Sequence, residues 1–226
     1  MIVYEDRELL VLHKPAGLAV ESASVTAPDV VSMLKSYLKT TYVGLVHRLD
    51  QPVEGLFVVA KTKAAAADLT RQLSSGGLVK SYQVLVHDET EGGFAENEFE
   101  LRDYILKNGA TKKAEIVSSD TRDAKGKKAG LAVLRGEVIE RRDQKVLCCR
   151  IEIETGRFHQ IRVQMSHAKL PLLGDRKYGS ESCLMLTNEL GIRQLALCAD
   201  RLSFIHPKSG EQMEFSILPF WAVKDA

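Results

Sequence analysis

The chain has 226 residues, 45% of them hydrophobic and 27% charged, with a formal net charge of +1. That is enough apolar material for one large domain or two small ones, and the near-neutral total does not by itself announce a nucleic-acid binder. No apolar stretch nears the ~20 residues a membrane helix needs, and Met1 to Asp6 lacks the basic, apolar, small-residue order of a signal peptide, so a cytoplasmic protein is expected.

In chain order, Ile2 to Leu12 reads as strand, polar turn and strand, broken by Lys14-Pro15-Ala16-Gly17. Pro28-Asp29 opens a helix with Val30, Leu34 and Leu38 at helical spacing. Val43 to Val46 and Leu56 to Ala60 are apolar runs flanking a polar break that holds His47-Arg48-Leu49-Asp50, Pro52 and Gly55. Thr62 can cap a helix over Lys63 to Leu73, which Gly76-Gly77 ends. Val79 to Val86 alternates as a strand, with Val79, Ser81, Gln83 and Leu85 on one face and Lys80, Tyr82, Val84 and Val86 on the other. Residues 88–130 are polar with short strand-like pieces. Leu131 to Ile139 and Val146 to Glu154 read as a hairpin joined by residues 140–145, and a helix runs from near Phe158 to before Pro171. Gly174 to Gly179 is a loop, and Ala196 to Ile205 with Gln212 to Leu218 forms a last hairpin. Strands dominate and the helices do not alternate regularly with them, so an α+β domain over residues 1–226 is expected, with a mixed sheet and helices packed on it.

Cys148 and Cys149 are adjacent in a strand and should face opposite sides, and no Cys-x-x-Cys spacing exists among the four cysteines. Reduced thiols are expected, with no zinc site and no disulfide framework. His47 and His159 have no third ligand at recognisable spacing. Phosphate-loop and nucleophile-elbow motifs are missing as well. Charge is uneven: residues 107–142 carry 10 Lys/Arg against 5 Asp/Glu, and residues 71–106 carry 3 against 7. A basic face can therefore exist without a basic total.

Three segments combine polar groups with unusual local structure: the loop from His47 to Glu54, the strand with Lys80 and Tyr82, and Thr155-Gly156-Arg157-Phe158-His159-Gln160-Ile161-Arg162. If they converge, Asp50 meets a phenol and a guanidinium. A nucleophilic carboxylate must stay ionised in a pocket that raises its pKa, and a neighbouring arginine offsets this by ~1–3 units. A tyrosine offers a flat face for a base. Taken locally, the same residues also fit a structural ion pair, a half-buried core tyrosine and a solvated helix start.

The ordered set Asp6…Lys14-Pro15-x-Gly17, His47-Arg48-Leu49-Asp50…Gly55-Leu56, Lys80-x-Tyr82, Thr155-Gly156-Arg157-x-His159-Gln160-Ile161-Arg162 and Pro171-x-x-Gly174-Asp175-x-x-Tyr178-Gly179 closely resembles the RluA-type pseudouridine synthases. The ending Leu197-x-Ala199…Leu202-x-Phe204-x-His206-Pro207 fits too, so the resemblance runs from about residue 2 to residue 221. It implies the pseudouridine synthase fold, a mixed, mostly antiparallel sheet in two similar halves with a central cleft. The implied activity is isomerisation of specific uridines in rRNA or tRNA to pseudouridine, without cofactor or metal. The resemblance makes Asp50 the nucleophile, which adds to carbon 6 of uracil or assists loss of the base from the ribose. It makes Tyr82 the residue that stacks on the uracil and helps remove the carbon-5 proton, and Arg162 the partner of the aspartate. Arg48 matches a position that fills the space of the extruded nucleotide, and His47, Lys80, His159 and Gln160 are expected RNA contacts. Some members carry a small N-terminal RNA-binding domain; here the pattern begins at Ile2, so the catalytic domain alone is expected, acting as a monomer. A catalytically idle RNA-binding or chaperone protein of the same fold is the alternative, and a hydrolase is a further one.

The chain departs from the family pattern at three places. His13 stands where Asn is usual before Lys-Pro, Val53-Glu54 where Thr-Ser is usual before Gly, and Cys198 where His is usual in Leu-His-Ala. Glu54 is expected to put an extra negative charge near the RNA entry.

Overall fold

A computed structural model describes residues 1–22, 27–143 and 145–222. In chain order the elements are β1 (Ile2–Glu5), β2 (Leu9–Lys14), α1 (Val30–Leu38), β3 (Gly44–Leu45), β4 (Glu54–Ala60), α2 (Lys63–Ser75), β5 (Val79–His87), β6 (Glu98–Asn108), β7 (Lys113–Val117) and β8 (Gly130–Arg142). They continue with β9 (Val146–Ile153), α3 (Gln160–His167), α4 (Glu181–Glu189), β10 (Leu197–Ile205), β11 (Gln212–Ser216) and a final 3₁₀ turn, Phe220–Ala222. The chain forms two compact units, one of residues 1–81 and 198–226 and the other of residues 82–197.

In the first unit the strand order is β1-β2-β4-β10, with β3 on β4 and β11 on β10. All pairings are antiparallel except β4 with β10, so the sheet is mixed. All seven residues of β4 are buried, as are Leu9 to Leu12, which is why both stretches read as unbroken apolar runs. Leu56, Val58, Ala65, Leu69, Leu202 and Phe204 form its core. The two helices begin where their caps predict. The Asp29 carboxylate accepts from Ser32 N at 2.7 Å, and Thr62 Oγ1 accepts from Ala65 N at 3.1 Å. Gly76, at φ 79°, closes α2 in the left-handed region. Asp6 accepts from Glu8 N, Leu9 N and His206 Nε2, the last at 2.7 Å, and so ties the first turn to the end of β10.

Gly55 has φ +141° and is paired to Lys14 on one side and Ala199 on the other. A Cβ there would lie 2.5 Å from Ala199 N and 2.6 Å from its carbonyl oxygen. Backbone cannot yield as a side chain can, so Gly55→Ala should lower stability by about 3 kcal/mol or more. Urea unfolding checks this; an unchanged midpoint would refute the close approach.

In the second unit the order is β5-β9-β8-β6-β7. β8 and β9 form the expected hairpin, with a bulge between Val138 and Glu140 and a turn shorter than the sequence suggests. Gln144, in that turn, lies outside the described residues. The polar region 88–130 contains an 11-residue strand, β6, and its partner β7 rather than short pieces. β6 has a single fully buried residue, Ile105, and its half-buried Phe99 and Leu101 alternate with exposed Glu98, Glu100 and Arg102, a strand signal diluted by charge. α4 was not announced by periodicity either. It buries only Cys183, Leu186 and Thr187 and starts at the Ser180 cap, whose Oγ accepts from Cys183 N at 3.0 Å. None of the four buried cysteines is in a disulfide. No helix among the described residues is long and apolar enough to cross a membrane.

Candidate active site

Asp50 lies in an extended loop in which exposure alternates: His47 and Leu49 are buried, Arg48 is exposed and Asp50 half-buried. Two inward anchors thus fix a stretch whose other two side chains point away from the core. The Asp50 carbonyl accepts from Val53 N at 3.0 Å and closes a turn around Pro52. Gly17 N donates to the Gln51 carbonyl at 2.9 Å, and Gln51 Nε2 returns a bond to Gly17 O at 3.0 Å.

Lys14 completes this anchorage. It has no exposed surface, and its ammonium donates to the carbonyls of Pro15 (2.9 Å), Leu18 (2.8 Å) and Gln51 (3.1 Å). One buried cation therefore pins both loops beside Asp50. Burial pushes its pKa down to about 8, against the charges of Asp50 and Glu54, which hold it up. The sequence marked the Lys14-Pro15 motif without giving the lysine a role.

Arg48 reaches Glu21 at 3.4 Å, both side chains being largely exposed. Such a pair is worth at most ~1 kcal/mol, so Arg48 can leave it for another partner at little cost. His47 is a core residue. It meets Phe57 edge-on at 6.2 Å, and its Nε2 accepts from Val58 N at 3.4 Å. Burial, then the Lys80 charge, pushes its pKa down to about 3. Burial also lowers that of Lys80.

Glu54, expected to bring a negative charge near the RNA entry, is itself buried. It is 8% exposed and bonded at 3.0 Å to His13 Nε2, because it begins the buried strand β4.

In the second unit, Tyr82 is 6% exposed at the start of the unit's share of β5. Arg162 is buried and makes a two-pronged pair with Asp175: Nε to Oδ2 and Nη2 to Oδ1, each 2.7 Å. Asp175 Oδ1 also accepts from Lys177 N and Tyr178 N, so the loop 175–178 fixes the carboxylate that fixes the arginine. The Tyr178 ring lies 5.1 Å from the guanidinium carbon. Its hydroxyl accepts from Ala114 N at 2.6 Å, which leaves its own proton for His159 Nδ1 at 2.7 Å. His159 adopts φ 52° and stacks at 3.8 Å on Phe158, whose ring also carries the Lys107 ammonium at 4.4 Å. Burial, then the Arg162 charge, pushes its pKa down to about 4. Gln160 is committed to the turn: its Oε1 accepts from Thr155 Oγ1 and Arg157 N, and its Nε2 donates to Val133 O. α3 therefore begins at Gln160, close to the expected start near Phe158.

His47, Asp50 and Lys80 thus belong to the first unit, while Tyr82, His159, Gln160 and Arg162 belong to the second. Asp175 and Tyr178, which orient Arg162 and His159, were noted only as motif letters. A buried arginine needs a carboxylate, and that need was the signal available. Among the described residues no group of His, Cys, Asp and Glu could hold a metal ion.

Both imidazoles are neutral at pH 7. Their folded pKa values lie below the ordinary 6.5, so in acid the unfolded chain binds more protons than the folded one. Their contribution to stability is complete above about pH 6.5 and is lost as pH falls towards 4 and then 3. Asp6, Asp29 and Asp88, held below the ordinary carboxylate value, add their own loss only under about pH 4. The urea midpoint should therefore already fall between about pH 6.5 and pH 4.5. A flat midpoint over that window would contradict the burial of these rings.

Residues 8–167 match the family model described as RNA pseudouridylate synthase. The chain is 32% identical over 212 residues to the ribosomal large subunit pseudouridine synthase C of Buchnera aphidicola subsp. Baizongia pistaciae, a match covering 92% of this chain and 63% of that protein. It is 36% identical over 230 residues to the ribosomal large subunit pseudouridine synthase D of Xanthomonas campestris pv. campestris, covering 95% and 64%. It spans a little under two thirds of the length of these curated relatives. In fold it is similar to the structure of human RNA pseudouridylate synthase domain containing 4, with a TM-score of 0.73 at 23% identity, covering 96% of this chain and 88% of that one.

Proposed function

The chain belongs to the RNA pseudouridylate synthase family, and from that membership we propose that it isomerises uridines in RNA to pseudouridine with Asp50 as nucleophile. The observation that carries the reading is the mounting of Asp50. It is a half-buried carboxylate held on a loop by the Leu49 anchor, by the Gly17–Gln51 bonds and by the buried Lys14 ammonium. Rigid mounting of a reactive group is what nucleophilic catalysis needs.

Asp50 opens the reaction at the uracil or at the ribose. The bond from ribose C1′ to N1 breaks, the base turns, and C1′ bonds to C5. C5 then gives up its proton while N1 gains one, so atoms and electrons balance without a co-reactant. Tyr82 stacks on the uracil and assists at the C5 proton. Arg162, locked by Asp175, supplies the positive charge that favours an ionised nucleophile. Extruding a stacked base costs a few kcal/mol, and Arg48, loosely tied to Glu21, is the residue to occupy the vacated space. His47, His159 and Gln160, committed to packing and turn bonds, shape the RNA-facing surface rather than gripping RNA.

The names of the relatives favour ribosomal RNA of the large subunit as substrate. The test is incubation of the protein with unmodified rRNA and tRNA, followed by pseudouridine mapping. New pseudouridine at discrete sites in rRNA is expected. Sites in tRNA alone would correct the substrate class, and none in either pool would overturn the function.

A further inference from the structure

The three departures from the family pattern are neighbours in the first unit. His13, in β2, meets Glu54 at 3.0 Å, and Cys198, in β10, is the register partner of Glu54. A carboxylate only accepts hydrogen bonds, so His13 Nε2 carries the proton and donates it to Glu54. β2 also brings Lys14, the register partner of Gly55, and the preceding loop brings Asp50. β10 offers the Cys198 thiol and, beyond it, Asp200. Burial and the two carboxylates push the thiol well up, so it stays protonated and adds no charge.

Lys14 raises a problem that this cluster answers. Three backbone carbonyls satisfy its hydrogens, but none offsets its charge. The anions acting on it are Asp50 and Glu54. A nucleophilic Asp50 loses its charge when it bonds to carbon, and at that moment Lys14 would be a buried cation with no counter-charge from the loop.

We propose that Glu54, gripped by His13, is a positioning residue that shares the Lys14 ammonium with Asp50 and remains as its counter-ion while Asp50 is covalently engaged. The mounting of the Asp50 loop then survives the step that consumes the Asp50 charge. This role rests on the proposed reading of Asp50, but the coupling of Glu54 to Lys14 does not.

The test compares the parent chain with Glu54→Gln and with Glu54→Ser, the second guarding against misfolding of the first. Nitrogen-15 NMR of the lysine side chains gives the Lys14 titration, and pseudouridine formation is measured against pH. In both variants Lys14 should titrate about one unit lower than in the parent. Their activity at about pH 8.5, relative to pH 7, should fall at least about threefold further than that of the parent. An identical Lys14 titration in the parent and both variants would overturn the proposal. A parent inactive at every pH would overturn the functional reading instead, and the Lys14 titration would still decide the coupling.

Discussion

Asp50→Asn is expected to lose pseudouridine formation by about a thousandfold or more while the melting temperature stays within about 2 °C of the parent. The amide is isosteric with the carboxylate but is not a nucleophile. The loop has supports other than that carboxylate. The Asp50 carbonyl, not its side chain, accepts from Val53 N, and Gln51 supplies the carbonyl to Lys14 and to Gly17. Leu49 and His47 keep their anchors. Rate and melting temperature should therefore separate cleanly. A variant turning over within about tenfold of the parent would remove Asp50 from the chemistry. A variant that melts far below the parent would make Asp50 a structural residue.

The largest loss of stability short of a backbone clash is expected at Asp175. Asp175→Ala leaves the Arg162 guanidinium buried without the carboxylate that forks to it, and breaking such a pair from one side costs about 3–5 kcal/mol. It also strips acceptors from Lys177 N and Tyr178 N, which loosens the loop that presents Tyr178 to His159. The paired change Arg162→Met with Asp175→Leu should be less damaging than Asp175→Ala alone. It removes both charges together and refills the space with apolar volume. Urea unfolding of the two single variants and the double variant measures this coupling. Activity should be lost in all of them: Asp175→Ala frees the Arg162 guanidinium from the fork that holds it, and the double variant, though it recovers stability, lacks the Arg162 charge. Equal stability of Asp175→Ala and the parent would contradict the buried fork.

What could be read from the chain follows from where each signal resides. α1 and α2 were legible because caps act locally: Asp29 and Thr62 bond to amides three residues on. β4 was legible because a strand covered on both faces is apolar throughout. β6 was not, since a strand with one fully buried side chain and five charged residues is easily taken for polar loop, although it pairs with β7 on one side and β8 on the other. The two expected faces of β5 also blur. Ser81, Leu85, Tyr82, Val84 and Val86 are all buried, so both faces are covered.

At the site, the reactive residues were legible as an ordered motif, whereas their supports were not. Lys14 finds its acceptors at Pro15, Leu18 and Gln51, and Arg162 finds its carboxylate 13 residues away across a loop. Nothing in the spacing of those residues states the bond. Glu54 shows the limit most plainly. As a letter beside Asp50 it reads only as an added negative charge, and the pairing of β2 with β4 is what places it against His13.

The most direct measurement uses RNA tritiated at carbon 5 of its uracils. Joining C1′ to C5 must release that hydrogen to solvent, so the label reports the isomerisation itself rather than RNA binding. The parent chain should release tritium to water from ribosomal RNA, and Asp50→Asn should release none above background while binding the same RNA. No release by the parent, or equal release by the asparagine variant, would contradict the assignment of Asp50 as the nucleophile of a pseudouridine synthase.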